Sequence, residues 1–407
     1  MDEDFGPAPL MGTTYRTKVH FTSQEVRLQS DTKGFADWIL GAYYYSESLN
    51  QWYGAVLNPL GFGGLGSPLT QKTRSYAAFG NVVFRLNEQW NIRGGVRLTR
   101  DKRRGTSSSF LFDGTGLDFR SVDKAEALGK QVFQLVPDIT LQKHWTKPSG
   151  EVTLSYTPSE TTHLYAGYSV GFKGGDFNGG LFSAAETVIV DPEFVKNIEV
   201  GAKFRSPGGA LSADLSLFRM RITDQQVSSI TSVNGLPALV LGNAAASRLE
   251  GLELDLAWRI GAGLSVRGSL GLLDAKFRKY PNAPGGGDFS GNRLAYAPRM
   301  TANLALRYDA PTTVGEVTAE VSMRYVTKQY DQPSNDPLFL VRPYGYADAF
   351  LAFSPAAADR WNFRVWVKNL TNRKYYSTYF NGGGLGWNAL GFADPRTFGV
   401  AVAYRIE

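Results

Sequence analysis

The sequence predicts an all-β fold, an antiparallel transmembrane β-barrel of about fifteen strands with short turns at one end and long loops at the other. Three observations carry this. Apolar residues recur at every second position over about ten residues at a time. That is longer than the ~5–6 residues of an ordinary globular strand and close to the ~9–11 of a tilted membrane-spanning one. Connections between such stretches alternate between short and long. No apolar run reaches the ~20 residues a helix needs to cross a bilayer, a limit that leaves strands untouched because they are apolar only at alternate positions.

Taken in order, the period-two stretches fall near 18–30, 35–46, 74–86, 89–101, 150–157, 162–172, 195–206, 209–221, 247–259, 263–277, 298–309, 314–328, 344–354, 360–371 and 395–405. Leu252, Leu254, Leu256 and Trp258 alternate with Gly251, Glu253, Asp255 and Arg259. Val317, Val321, Met323 and Tyr325 do so with Thr318, Glu320, Ser322 and Arg324, and Phe398, Val400, Val402 and Tyr404 close the series. Short spacers carry turn residues, as in Asp31-Thr32-Lys33-Gly34, Ser206-Pro207-Gly208 and Ala310-Pro311-Thr312-Thr313. Between them lie long segments rich in glycine and polar residues, 47–73, 102–149, 173–194 and 278–297. Outer-membrane barrels have this asymmetry, with the short turns periplasmic. Phe204, Trp258, Tyr308, Phe353, Trp361 and Tyr404 all sit beside short turns, where an interfacial aromatic girdle belongs.

Composition agrees. The 407 residues include 45 glycines and 13 % aromatics but no cysteine, which removes disulfides and thiolate metal sites. The net charge of +6 is spread over 43 basic and 37 acidic residues; no basic run stands out, so nucleic acid is not expected as a partner. The amino end, Met1-Asp2-Glu3-Asp4-Phe5, has no signal-peptide pattern, as expected of a mature form or a fragment.

Several segments resemble TonB-dependent receptors, the outer-membrane transporters that take up scarce ligands with inner-membrane energy. The most specific are Val367-Lys368-Asn369-Leu370-Thr371-Asn372-Arg373-Lys374-Tyr375-Tyr376 and Pro395-Arg396-Thr397-Phe398-Gly399-Val400, similar to the family's closing strands. The stretches 164–175, 196–203 and 23–30 are similar to it in the same order. The resemblance implies a plugged barrel of 22 strands, so residues 1–407 are expected to be a partial barrel without a plug domain. It implies an outer-membrane location, a ferric siderophore or similar bulky ligand, contact with outer-membrane lipid, a monomer, and a TonB contact through a segment outside this sequence. The alternative is a passive porin-like or other outer-membrane β-barrel protein. The odd strand count is at variance with a closed antiparallel barrel. The chain ends Tyr404-Arg405-Ile406-Glu407 where such strands commonly finish on an aromatic.

Candidate residues follow. Glu253, Asp255, Arg267, Glu320, Arg324, Arg364 and Lys368 occupy the phase opposite the apolar residues and are expected to face the lumen, since Arg or Lys toward lipid costs about 2–4 kcal/mol at the midplane. Loop aromatics Trp52, Tyr53, Phe177, Tyr330, Tyr379 and Trp387 are candidates for ligand contact. No enzyme is expected, and no cofactor or metal site. His20, His144 and His163 lack metal-ligand spacing; the resemblance admits haem held by a loop histidine, which would single out His144, but Gly171-Phe172-Lys173-Gly174-Gly175 lacks the Arg-Ala-Pro wording of haem receptors, which counts against it. Asp191, Asp224, Asp288 and Asp331 read as turn or loop residues, and Gly61–Gly64, Gly285–Gly287 and Gly382–Gly384 as loop tips rather than phosphate cradles.

Overall fold

A computed structural model describes residues 12–31, 34–56, 63–114, 117, 122–180, 182–233, 236–281, 283, 287–358, 360–382 and 387–406. The loop-tip glycines 61, 285, 286, 383 and 384 lie outside the described residues. In chain order the elements are β1 (Gly12–Gln29), β2 (Ala36–Val56), β3 (Gly64–Arg85), β4 (Trp90–Phe112), helix α1 (Lys124–Gly129), β5 (Gln131–Ser159) and β6 (Thr162–Lys173). Next come β7 (Asp176–Asn178), β8 (Val188–Val190), β9 (Glu193–Arg205), β10 (Leu211–Val233), β11 (Leu236–Gly261), β12 (Leu264–Lys279), β13 (Met300–Thr312) and β14 (Gly315–Val326). The chain finishes with β15 (Gln329–Tyr330), β16 (Leu340–Val341), β17 (Tyr344–Pro355), β18 (Trp361–Lys368), β19 (Tyr376–Gly382), β20 (Trp387–Phe392) and β21 (Thr397–Tyr404).

Fifteen of these strands form one antiparallel sheet in chain order, and β7–β8, β15–β16 and β19–β20 make three small hairpins beside it. Each of the fifteen period-two stretches corresponds to one sheet strand. Among the described residues the sheet order runs from β1 to β21. Both strands are exposed along nearly their whole length, and Phe398 on β21 is 82 % open.

Register makes two chemically different faces. In an antiparallel pair, residues directly opposite lie on the same face. Starting from Leu254, opposite partners lead to Leu215 and Leu270, and the same phase gives Ile198 and Val200 on β9, Leu304 and Leu306 on β13, Val321 and Met323 on β14, Val365 on β18 and Val400 on β21. This apolar face is open: Val96 is 72 % and Val365 50 % exposed. The other face is polar, and a recess of about 510 Å³ on it spans strands from β10 to β17, so the sheet curves toward its polar side. The aromatic girdle holds: Trp258 lies opposite Leu211, Tyr308 opposite Leu264, and the Trp361 ring 4.8 Å from that of Tyr404, all on the apolar face.

Two expectations need correction. Segments 47–73 and 102–149 are not loops for most of their length: β2, β3, β4 and β5 continue through them, and β1 begins at Gly12. Above the apolar band neither face has to be apolar, so the alternation fades while the backbone ladder continues. Trp52, Val56, Phe110, Phe112, Val122 and Ala127 form a separate apical core there, under α1. The helix starts at a capping box, with Asp123 accepting from the Ala125 N–H at 2.8 Å and Glu126 accepting from the Asp123 N–H. The second correction is Asp224, which sits inside β10 at a register shift with φ +54°.

The long connections at the same end also lock together. The Arg293 guanidinium donates to Asp274 at 2.8 Å and to the carbonyls of Leu273 and Ala297. Asn335 accepts from the Arg293 N–H at 2.7 Å, and Asn292 donates to the Pro333 and Ser334 carbonyls. Tyr280 is fully buried beneath, with Phe277 and Ala283. Asp331 lies in this packing, and burial pushes its carboxyl up to about 6. A raised acid favours the packed form below the unfolded value of roughly 4 and loses that advantage as pH rises toward 6. Asp331→Asn is therefore expected to slow amide exchange across 329–341 at neutral pH and to change nothing near pH 4; faster exchange at neutral pH would contradict this.

The residues around Asn369 have a structural task. Asn369, 6 % exposed with φ +48°, accepts from the Arg373 N–H, donates to the Arg373 and Asp394 carbonyls, and gives its backbone N–H to Asp348 at 2.7 Å. Asn372, also at φ +48°, accepts from the Arg396 N–H. The two asparagines tie the ends of β17 and β18 to the segment entering β21. Asn369→Ala is expected to cost about 2–4 kcal/mol, from unsatisfied buried groups and a left-handed backbone without its side-chain bonds. Asn369→Gly should cost less. The unfolding midpoint of the folded form on heating checks the order.

Candidate functional site

The polar face carries one continuous cross-strand row: Asp214, Asp255, Ser269, Asn303, Arg324 and Tyr346, each directly opposite the next. Asp214 and Asp255 are like charges in direct opposition, an unfavourable pairing. Lys203 offsets it 3.7 Å from Asp214, and Arg267 lines the same recess. Asn303 donates to Ser269 at 3.0 Å. Glu253 lies opposite Ser216 and Gly271, and Glu320 opposite Arg307 and Phe350. The Arg364 guanidinium stands 4.3 Å over the Phe350 ring, and the Lys368 ammonium 5.8 Å from Trp366. All seven charged residues singled out from the sequence occupy this one face.

A strap crosses the same face toward the long-connection end. Between β6 and β9 the chain folds as the β7–β8 hairpin against β4 and β5. Asp176 pairs with Arg103 at 2.8 Å, and Asp191 accepts from Lys143 at 2.6 Å and from the Trp145 indole at 2.8 Å. Those bonds hold the Asp191 carboxyl below the usual carboxylate range. Gln226 donates to the Gly174 and Asp191 carbonyls, and Asn243 donates to the Asp191 carbonyl at 2.8 Å. Two glycines permit the approach. A Cβ on Gly175 would stand 2.4 Å from the Trp145 ring, and one on Gly105 2.9 Å from Phe177.

The aromatic candidates separate. Trp52 is 4 % exposed in the apical core and donates its indole N–H to the Val122 carbonyl at 3.2 Å. The Tyr53 ring lies 4.7 Å from Tyr15. Phe177 is half-buried on the strap, and Tyr330 is half-buried on β15, its carbonyl accepting from the Tyr296 N–H. Tyr379 and Trp387 lie on β19 and β20, with their side chains outside the described residues. Pattern reading missed a stack: Tyr375 lies parallel to Tyr344 at 4.0 Å and to Tyr346 at 5.9 Å. A Tyr-Tyr pair in a turn gives no sign of it, because the platform comes from β17. His144, expected in a long loop, is on β5 opposite Lys102, on the outer face and away from the recess. Among the described residues no three His, Asp or Glu side chains come together as a metal-ligand set.

The family model described as TonB dependent receptor-like, beta-barrel matches residues 3–370. The pesticin receptor of Yersinia pestis is 23 % identical over 367 residues, 88 % of this chain and 49 % of that protein. The chain thus spans about half the length of the curated relatives it matches. Among solved structures, the ferric yersiniabactin uptake receptor FyuA from Yersinia pestis matches with a TM-score of 0.80 at 18 % identity, covering 98 % of this chain and 56 % of that one. The siderophore receptor PiuA from Acinetobacter baumannii matches with a TM-score of 0.71 at 15 % identity, covering 96 % and 56 %. The proteins this family gathers are transporters and receptors of the Gram-negative outer membrane. Sheet order, face chemistry and a match across most of its length place this outer-membrane chain in the TonB-dependent receptor β-barrel family.

Proposed function

We propose that this chain supplies the greater part of the barrel of a receptor that takes up a ferric siderophore, energised through TonB. The observation that carries the reading is the unbroken polar row from Asp214 to Tyr346 on the concave face. In this reading Glu253, Asp255, Arg267, Glu320, Arg324, Arg364 and Lys368 face a lumen, and the apolar face meets outer-membrane lipid. Charged and polar groups that line a wall in one unbroken row suit the passage of a hydrophilic metal complex. The likeness to the ferric yersiniabactin uptake receptor and to the siderophore receptor PiuA supports an iron-chelate ligand. The chain acts as a monomer and as a receptor, not as an enzyme.

Residues 1–407 then form a partial barrel without a plug domain. Fifteen strands is an odd number, and an all-antiparallel barrel closes only with an even one. The exposed edges at β1 and β21 await further strands of the same receptor, and contact with TonB is made by a segment outside this sequence. A passive porin would instead need a ladder joining β1 to β21.

Ligand capture falls to the aromatic platform of Tyr344, Tyr346 and Tyr375 beside Arg324, with Phe177 and Tyr330 on nearby connections and Tyr379 and Trp387 on the β19–β20 hairpin. Tyr53 and Trp52 shape the apex. In the complete receptor, Arg324→Ala combined with Tyr375→Ala is expected to weaken binding of ferric yersiniabactin, the first probe, by about tenfold or more, as for loss of a buried aromatic–Arg contact. Radio-iron uptake should fall in step and vanish with a proton uncoupler. Uptake unchanged by both substitutions and by the uncoupler would refute the reading.

A further inference from the structure

The outer face of β3–β5 carries a second feature, independent of the concave wall. Burial alternates residue by residue here. Thr73, Ser75, Ala77, Thr99 and Trp145 are buried on the inner side, while Lys72, Arg74, Tyr76, Arg100, Lys102, Arg104 and His144 are exposed on the outer side. Register stacks the exposed set into three rows. The lowest runs Tyr44, Tyr76, Arg100 and Thr146, the next Ser46, Arg74, Lys102 and His144, and the third Ser48, Lys72, Arg104 and Gln142. Successive rows are two residues apart, about 7 Å along the strand.

Five Arg and Lys side chains thus share one patch, and among the described residues none of the five forms an ion pair. Glu47 and Asp101 are on the other face, while exposed Asp138 of β5 lines an outer recess with Thr70 and Thr106, one row beyond Lys72 and Arg104, and among the described residues forms an ion pair with none of the five. Glu47 lies opposite Thr73, Asp101 opposite Trp145, and Arg103, set inward by one residue of parity, pairs with Asp176. A second outer row on β9–β12 shows the contrast. Lys196, Arg221, Arg248 and Lys276 are also direct neighbours, but acids lie just beneath them. Arg219 and Arg248 reach Glu250 at 3.0 and 3.5 Å, and Lys276 reaches Asp274 at 3.2 Å. That row is ion-paired with its own acids; among the described residues the five basic side chains of the β3–β5 patch are not. Adjacent like charges across strands are destabilising, so such a patch calls for an anion from outside.

What lies below identifies the anion's carrier. Directly under the basic rows come Ala42, Ala78, Leu98 and Pro148, then Leu40, Gly80, Val96 and Gly150. Tyr44 and Tyr76, ring centroids 5.2 Å apart, mark the boundary. Free phosphate would need only the upper part; an amphiphile uses both. The patch lies toward the end with the long connections, the outer leaflet in this family.

We propose that Lys72, Arg74, Arg100, Lys102 and Arg104 bind the phosphate groups of an anionic lipid of the outer leaflet, with its acyl chains on the apolar rows below. The inference rests on the chain's place in the outer membrane and not on its ligand. The test uses the full chain extracted from outer membranes in mild detergent and titrated with bis-phosphorylated lipid A, dephosphorylated lipid A and inorganic phosphate. Wild type should bind the bis-phosphorylated form saturably and more weakly as salt rises. Arg74→Gln with Lys102→Gln and Arg104→Gln should lose about a hundredfold, roughly fivefold per charge near a membrane surface. Arg74→Lys with Arg104→Lys should retain binding. Equal affinity in the triple variant, equal binding of the dephosphorylated form, or displacement by millimolar inorganic phosphate would overturn the proposal. Heat-modifiable gel migration reports whether the triple variant is folded. If it is not, salt-insensitive binding by wild type overturns the proposal instead. Siderophore binding by the complete receptor should be untouched by the triple variant, so failure of this site and failure of the transport reading are told apart.

Discussion

Backbone amides and carbonyls at bilayer depth find no water, so each must be satisfied by a neighbouring strand. That constraint organises the whole chain. It requires an uninterrupted antiparallel ladder, and the ladder fixes register. Register in turn decides the face of every side chain, because a slip of one residue would exchange the faces. The phase set at Leu254 leads through opposite partners to Val200 on one side and Val400 on the other without a break. Such coherence collects Asp214, Asp255, Arg267 and Arg324 on the polar face and keeps all four off the apolar one.

Where the ladder outruns the apolar band, other interactions take over. The apex is held by a small hydrophobic core around Trp52 and Phe110, and the long connections by side-chain bonds to backbone carbonyls, as at Arg293, Asn335 and Asn369. The strap between β6 and β9 is fixed by two acids, Asp176 and Asp191, to the basic side chains of β4 and β5. Even charge pairing follows parity. Arg103 turns inward to the strap while Arg100, Lys102 and Arg104 turn outward, although the four sit within five residues.

Much of this was legible in the sequence, and the limits have physical causes. All fifteen strands were readable because one face of the sheet is apolar and the other polar, which imposes strict alternation, and the seven charged positions of the opposite phase came with them. Strand ends were not, since β2–β5 extend beyond the apolar band into stretches where no alternation is imposed. The family-like wording at Asn369 was visible, but its reason, two left-handed asparagines knitting three segments, was not. The basic patch escaped for the opposite reason. Read linearly, Arg100-Asp101-Lys102-Arg103-Arg104 mixes charges, and only the pleat sorts it and adds Lys72 and Arg74 from the next strand. The strap and the tyrosine stack come from contacts distant in sequence, which leave no local trace.

The central claim is that a single register separates a lipid-facing from a lumen-facing surface. It is tested most directly by spin labels placed one at a time at 321–325 on β14, with the chain in outer membranes. Collision rates with oxygen, which concentrates in lipid, and with a water-soluble nickel complex should alternate in opposite phase. Oxygen should lead at Val321, Met323 and Tyr325, and the nickel complex at Ser322 and Arg324. Collision rates without a two-residue period, or with the phases exchanged, would contradict the account.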